Sequence, residues 1–262
     1  NSTTATPTAE KAGTPIFKNK PEQNSSQSSI TLPIHSKFRS FVHKNEIPRK
    51  VFHLSIGFVT LYLHCHGYKT ANTWQPVSVA VSCIFLLDII RFNWPYFNKL
   101  YCSTVGFLMR EKEVNSVNGV IWFQLGSLIT FMSHSQDVAV MAILLLSWSD
   151  TAASTVGRRF GHASPKLARG KSLVGSVAAF FTGIIACYVF YGAIAPRYPQ
   201  YSQGFEYDPS TNMLNLHTLA LLSGFIAAVS EGIDIAGLDD NLTIPVLSSF
   251  FLSGVIKLGK AN

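Results

Sequence analysis

The sequence predicts an all-α membrane protein, a polytopic transmembrane helix bundle of six or seven spans with one further helix at the membrane surface. Of its 262 residues 47% are hydrophobic and 13% are charged, and the mean hydropathy is +0.24. Soluble domains carry about 25% charged residues. Seven apolar segments recur along the chain, and a membrane-spanning helix needs roughly 20 such residues.

The elements follow from composition and periodicity. Residues 1–35 are rich in Ser, Thr, Pro, Asn and Gln, which is typical of a disordered tail, and residues 36–262 are predicted to form the membrane-embedded domain. Residues 94–110 place Phe97, Leu100 and Tyr101 on one face and predict an interfacial helix. The predicted spans are 51–68, 74–90, 118–133, 137–156, 173–195, 214–235 and 242–258. The third and the seventh are short, so a count of six stays open.

Basic residues predict the orientation of the bundle. With the N-terminal tail in the cytosol, 17 of the 21 Lys and Arg residues fall in the inner segments 1–50, 91–117 and 157–172, as the positive-inside rule requires. Such clusters indicate orientation and anionic partners rather than nucleic acid. The acids beside the predicted spans are expected on the same side. We therefore predict one cytosol-facing site. The four cysteines lack the spacing of a zinc site or a disulfide framework.

The fourth predicted span ends in a polar face. Ser147, Asp150 or Thr151, Ser154 and Arg158 recur at three- and four-residue spacing and so share one side of a helix. Ser and Thr also hold membrane helices together, and this alternative stays open for them. An ionised carboxylate in a membrane usually marks a site. We predict Asp150 to be a ligand of Mg²⁺, which proteins hold with one or two carboxylates plus substrate phosphates.

The residues before the fifth span predict a phosphate-binding helix start. Gly170, Lys171 and Ser172 match the end of a Walker A loop, but Pro165 replaces its first glycine and no strand is expected before it. Ser172 can cap the helix, whose free N–H groups and partial positive charge suit a phosphate. Lys171 and Arg169 add charge. A topogenic anchor is the alternative for both.

Four acids lie at the inner end of the sixth predicted span and in the loop that follows it. Glu231 and Asp234 are one helical turn apart and are expected on one face. Asp239 and Asp240 follow in a short loop, and for Asp239 a solvated loop is the alternative. We predict Glu231 and Asp240 as further metal ligands and Asn241, next along the chain, as a nucleotide contact.

Two basic positions and two runs of small residues complete the pattern. Arg49 and Lys50 stand at the start of the first span, where either a topogenic or a functional role is open. Asp88 and Arg91 are expected to form a structural ion pair.

The small residues recur every four positions and predict close helix packing, which would hold the fifth span near the sixth. They are Gly175, Ala179 and Gly183 in the fifth span and Ala220, Gly224, Ala228 and Gly232 in the sixth.

At these residues the chain resembles the CTP-dependent lipid kinases: dolichol kinase, phytol kinase and the fungal diacylglycerol kinases, relatives of the phosphatidate cytidylyltransferases. The similarity runs from about Ile47 to Lys257. It is carried by the blocks Asp150–Gly161, Lys171–Ser176 and Asp240–Pro245. The stretches IPRKVFH, LLSWSDTAA and TIPVLSS resemble the yeast-type CTP-dependent diacylglycerol kinases in particular.

The resemblance implies transfer of the γ-phosphate of CTP to diacylglycerol, giving phosphatidate and CDP, with Mg²⁺ or Ca²⁺. It implies the endoplasmic reticulum or nuclear envelope membrane, with the active site facing the cytosol. It also implies that Arg49, Lys50, Asp150 and Gly157 are needed for activity.

These patterns assign roles to the predicted site residues. Asp150, with Glu231 or Asp240, is expected to bind the metal. Lys171, Arg158 and Arg159 are expected to hold the triphosphate, and Gly157 to let the backbone approach the nucleotide. The remaining predicted nucleotide contacts are Gly161, Gly170, Ser172 and Asn241.

Other functions on the same scaffold stay open from the sequence. They are phosphorylation of dolichol or phytol and cytidylyl transfer to phosphatidate. An ion-coupled transporter is a further alternative, since acids in membrane helices also couple ions. The grouping of the acids at one face of the membrane, rather than at its middle, argues against a transporter.

Overall fold

The computed structural model describes residues 46–260 except 115, 169 and 236, and the side chains of residues 111 and 112 are also outside the description. The predicted tail 1–35, the basic stretch up to residue 45 and Arg169 therefore lie outside the described residues.

The described part of the chain contains nine α-helices. They are α1 (Ile47–Cys65), α2 (Thr70–Asn93), α3 (Pro95–Val105), α4 (Gly119–Ser133), α5 (Gln136–Leu144), α6 (Asp150–Phe160), α7 (Leu173–Cys187), α8 (Leu216–Gly232) and α9 (Asp240–Leu258). The predicted all-α membrane bundle is confirmed. Each of the seven predicted segments contains a helix, and α3 occupies the segment predicted to be interfacial.

Within residues 46–260, as far as they are described, four helical segments are long and apolar enough to cross a membrane: Thr70–Asn93, Gln136–Ala163, Leu173–Arg197 and Asp240–Leu258. α4 and α8 are apolar but shorter. The count of six or seven spans therefore stays a prediction.

A π-helical turn at Leu145–Ser149 joins α5 to α6 within one continuous helix. A π turn accommodates an extra residue and often lies at a functional site. Because it changes the helical phase just before Asp150, it separates Ser147 from the polar face predicted for it. Ser147 is fully buried, whereas Asp150, Ser154 and Arg158 face the cavity described below.

A short antiparallel hairpin precedes α7 and departs from the all-helical prediction. β1 (Lys166–Ala168) pairs with β2 (Lys171–Ser172). Gly170 lies in the turn between them with a φ of 81°, a conformation that glycine adopts without steric cost. Among the described residues no strand precedes residue 165, as expected, because β1 lies within the segment 165–172 itself. The hairpin is not the βαβ unit of a Walker A site.

The small residues of α7 and α8 do pair. A Cβ added at Gly224 would lie 2.6 Å from the Phe180 carbonyl oxygen, and one at Gly183 would lie 3.0 Å from the Gly224 Cα. The two backbones therefore approach more closely than larger residues allow. This packing fixes the start of α7 relative to the end of α8, where the predicted site residues lie.

A buried ion pair at the end of α2 has a structural role. Arg91 Nε lies 2.9 Å from Asp88 Oδ1, and the Arg91 guanidinium donates to the carbonyls of Glu113 and Ser116. The predicted Asp88–Arg91 pair is thus confirmed, and it ties the connection between α3 and α4 to the end of α2.

The expectation that the acids beside the spans share one side was wrong for Asp137. This fully buried residue lies in the first turn of α5, about 20 Å along the continuous helix from Asp150 at 1.5 Å per residue. Its carboxylate accepts from the backbone N–H groups of Glu206 and Tyr207 and from the Tyr191 hydroxyl. Asp137 therefore holds the loop before α8 in place at the opposite end of the bundle.

The close approach of α7 and α8 predicts that a larger residue at their contact lowers stability. Gly224→Ala places a methyl group against the backbone of α7 and is expected to lower stability by about 1–3 kcal/mol, because overpacking forces a backbone shift. Gly254→Ala in α9 is the matched control, since, leaving aside its own helix, no atom of another described residue lies within 4 Å of its added Cβ. Thermal unfolding of the two purified variants in detergent tests this. Equal midpoints would contradict the packing described here.

Candidate active site

A cavity of about 460 Å³ opens where α6, the β1–β2 hairpin and the start of α7 meet the end of α8 and the start of α9. Its lining is rich in charge. The cationic side chains are Arg49, Arg110, Arg158, Lys166 and Lys171, and the carboxylates are Asp150, Glu231 and Asp240. Such an arrangement suits a polyanion accompanied by a cation.

Lys171 lies at the centre of this charge distribution. Its Nζ is 2.7 Å from Asp240 Oδ2 and 3.2 Å from Glu231 Oε1. Burial lowers the pKa of Lys171, but the two carboxylates outweigh this and raise the pKa above its usual value. Lys171 therefore stays charged at neutral pH and links β2 to α8 and α9.

The second oxygen of the Glu231 carboxylate has no such partner. Glu231 is 8% exposed, and its Oε2 atom is buried without a hydrogen bond to any described residue. A buried acceptor without a partner is costly, so this oxygen is a place where a cation or a donor would be stabilised.

Glu46 organises the arginines on the other side of the cavity. Its carboxylate lies 2.8 Å from Arg49 Nη2 and 2.7 Å from Arg158 Nη2. Burial raises the pKa of Glu46, but the hydrogen bond from Arg158 and the charges of both arginines lower it to about 2. Glu46 itself has a φ of 47°, a conformation uncommon outside glycine. This backbone turn brings the carboxylate back between the two arginines.

Asp150 contacts α1 through a histidine. His53 Nε2 lies 3.7 Å from Asp150 Oδ2 and 3.2 Å from the Leu146 carbonyl oxygen. When Nε2 carries the proton it donates to that carbonyl. Asp150 faces the cavity from α6. Among the described residues, the basic group nearest to its carboxylate is His53, at 3.7 Å.

α6 and α7 meet at glycines beside Ser172. A Cβ added at Gly157 would lie 3.1 Å from Ser172 Oγ, and one at Gly175 would lie 3.1 Å from the Ala153 carbonyl oxygen. The two helices therefore need small residues at this crossing. Gly157 lines the cavity, so a side chain there would intrude on both the packing and the cavity.

The first N–H groups of α7 have hydrogen-bond partners, contrary to the prediction. Ser172 does cap the helix, accepting from the Gly175 N–H at 3.3 Å. The N–H groups of Leu173 and Val174 already donate to the Pro165 carbonyl and to Ser164 Oγ. The prediction of free N–H groups was wrong, because the β1–β2 hairpin brings these acceptors to the helix start. The helix dipole still presents its positive end here.

The structure brings most of the predicted site residues together. Those that line the cavity are Arg49, Asp150, Gly157, Arg158, Gly161, Gly170, Lys171, Ser172, Glu231 and Asp240.

Three predicted site residues lie outside the cavity lining. Lys50 Nζ instead donates to Thr155 Oγ1 at 3.0 Å. The Arg159 guanidinium lies 5.5 Å from the centre of the Phe160 ring, because it points about 100° around the helix from Arg158. Asn241 lines a separate apolar groove.

Asp234 is also displaced from its predicted position. It is exposed and follows the end of α8 at Gly232, where its carboxylate accepts from the Gly237 N–H. It therefore does not share a helical face with Glu231.

Several cavity residues were not singled out from the sequence. Arg110, His162 and Lys166 line the cavity, and their only sequence signal was membership of basic inner segments. Beside the cavity, Glu46 had no sequence signal and His53 had only its place at the end of the IPRKVFH stretch, since the roles of both depend on contacts with α6.

Comparison with known proteins gives the family. A model described as "Cytidylyltransferase family" matches residues 37–231. The CTP-dependent diacylglycerol kinase 1 of Saccharomyces cerevisiae is 53% identical over 233 residues, covering 88% of this chain and 80% of that protein. The protein of the same name from Eremothecium gossypii is 49% identical, covering 87% of this chain and 75% of that protein.

The CTP-dependent diacylglycerol kinase 1 of Schizosaccharomyces pombe is 44% identical, covering 80% of this chain and 93% of that protein. No solved structure matches the chain. The chain belongs to the cytidylyltransferase family and, within it, to the group that contains these CTP-dependent diacylglycerol kinases.

Proposed function

We propose that this protein is a CTP-dependent diacylglycerol kinase, which transfers the γ-phosphoryl group of CTP to the hydroxyl of diacylglycerol and yields phosphatidate and CDP. The observation that carries this proposal is the cavity, where five cationic side chains lie beside three carboxylates. The names of the three relatives, which are 44–53% identical, indicate the same donor and acceptor.

The lining residues suit phosphoryl transfer, which depends on positioning and on neutralising phosphate charge more than on covalent chemistry. Arg49 and Arg158 are held at the rim by Glu46 and are available to the triphosphate. Lys171 supplies a fixed charge from the opposite wall. Gly157 keeps the floor of the cavity open between α6 and α7.

The carboxylates fit a bound Mg²⁺, although no group of three His, Cys, Asp or Glu side chains in the described part of the chain could hold a metal alone. Mg²⁺ is usually held by one or two carboxylates together with substrate phosphates. Asp150 would hold it, with Asp240 or the unpaired oxygen of Glu231. Bound there, Mg²⁺ would neutralise charge on the phosphate oxygens. Ca²⁺ has the same preference for oxygen ligands.

The proposal includes a location. The cavity lies at the end of the bundle where the basic inner segments gather, and the positive-inside rule assigns that end to the cytosol. We propose the endoplasmic reticulum or nuclear envelope membrane, where CTP from the cytosol meets diacylglycerol in the bilayer.

Isotope labelling of CTP tests which phosphate group is transferred to the lipid. Purified protein in mixed micelles with diacylglycerol is expected to transfer label from γ-labelled CTP to lipid and none from α-labelled CTP. Because the matching family is described as cytidylyltransferases, a parallel assay supplies phosphatidate in place of diacylglycerol. Transfer of the α-label to phosphatidate would contradict the proposal and indicate cytidylyl transfer. Dolichol and phytol, assayed in parallel, test the other acceptors. Chelation of divalent cations is expected to stop transfer.

Removing the charge of Asp150 tests its proposed role in holding the metal. Asp150→Asn keeps the shape of the side chain but removes the charge, and it is expected to lower the transfer rate at least about 100-fold, in the range seen when a charge-stabilising group is removed. Asp150→Ala is expected to do the same. Transfer from CTP to diacylglycerol, measured beside size-exclusion profiles, tests this.

Asp234→Asn is the matched control. Asp234 lies at the same end of the bundle, is exposed and stands outside the cavity lining, so near-normal turnover is expected. Substantial activity of a monodisperse Asp150→Asn protein would contradict the assigned role.

A further inference from the structure

A second, narrow opening lies beside the charged cavity. The groove, as we call it, has a volume of about 60 Å³, room for roughly four groups the size of a water or a methylene. It runs between α1 and α4. Its apolar lining includes Phe52, Val120 and Phe123, and its polar lining includes Arg49, His53 and Glu113.

The groove and the cavity meet at two side chains. Arg49 lines both. His53 lines the groove, and its Nε2 lies 3.7 Å from the Asp150 carboxylate that lines the cavity. A group at the inner end of the groove is therefore separated by one side chain from the place where a phosphate would lie.

The two openings differ in charge. Five cationic side chains line the cavity, whereas the groove is lined by one cationic side chain, Arg49, and one carboxylate, Glu113. An uncharged ligand with a polar end fits the groove, because burying a charge without a partner is costly. A nucleotide triphosphate does not fit it.

The outer end of the groove opens onto apolar surface. Phe52 lines the groove and is itself 50% exposed. Val51 and Val59 on the same helix are 60% and 52% exposed. In a membrane-embedded bundle such a surface faces lipid, so a lipid can pass from the bilayer into the groove without crossing water.

We propose that the groove binds the acceptor, an uncharged lipid alcohol, with its hydroxyl at the Arg49 and His53 end and its acyl chains leaving past Phe52. This inference rests on the proposed function, and it assigns the acceptor site to α1 and α4 rather than to the packed helices α7 and α8. The groove accommodates only the polar end of the lipid, because the volume of the groove is far smaller than the volume of an acyl chain.

Narrowing the groove tests the proposal. Val120→Phe is expected to raise the KM for dioctanoylglycerol about tenfold, equivalent to about 1.4 kcal/mol of lost binding, while the KM for CTP stays unchanged. The control is Val79→Phe on α2, where Val79 is 63% exposed and lines neither opening. It should leave both constants unchanged. An unaltered lipid KM, or an equal rise in both constants, would overturn the proposal.

A second measurement needs no variant. Photolabelling of the unaltered protein with a diacylglycerol that carries a diazirine near the glycerol is expected to modify peptides of Ile47–Cys65 and Gly119–Ser133, and excess dioctanoylglycerol should block the labelling. Competable label confined to α7 and α8 would overturn the groove assignment. If instead the unaltered protein transfers no phosphate from CTP to any lipid, the proposed function fails, whichever helices are labelled.

Discussion

The ammonium group of Lys171, held between the carboxylates of Glu231 and Asp240, is the interaction on which the site depends. An isolated ammonium or carboxylate in a bundle interior costs several kcal/mol, and a pair offsets that cost only with close geometry. The three residues come from β2, the end of α8 and the start of α9. Their pairing therefore requires the hairpin, both helices and the α7–α8 packing to be formed together.

Glu46 provides the same kind of constraint across the cavity, since it holds Arg49 of α1 beside Arg158 of α6. The two ion networks leave different groups available. Around Glu46 the partly exposed guanidinium groups can turn to a phosphate. Around Lys171 the second oxygen of Glu231 has no hydrogen-bond partner in the described part of the chain. In the proposed function, the guanidinium groups would contact the triphosphate and the second Glu231 oxygen would contribute to holding a metal.

Physical rules explain which features could be predicted from the sequence. Asp150 and Lys171 were predictable because a charge at the end of an apolar helix needs a polar surrounding. The small residues of α7 and α8 were predictable because their spacing places them on one face. Glu46 and His53 were not, since their roles arise from contacts between α1 and α6. The blocked helix start at Ser172 and the displaced Ser147 depend on a hairpin and a π turn that no periodicity indicates.

A double-mutant cycle between Lys171 and Glu231 tests the central interaction most directly. Thermal unfolding in detergent would be measured for Lys171→Met, Glu231→Gln and the double variant. The comparison is the more exposed and more widely separated pair Arg110 and Asp239, 3.9 Å apart. The account predicts that the double variant loses less stability than the two single changes added, with a coupling of about 1–3 kcal/mol, and that the coupling between Arg110 and Asp239 is much smaller. Additive losses at Lys171 and Glu231 would contradict it.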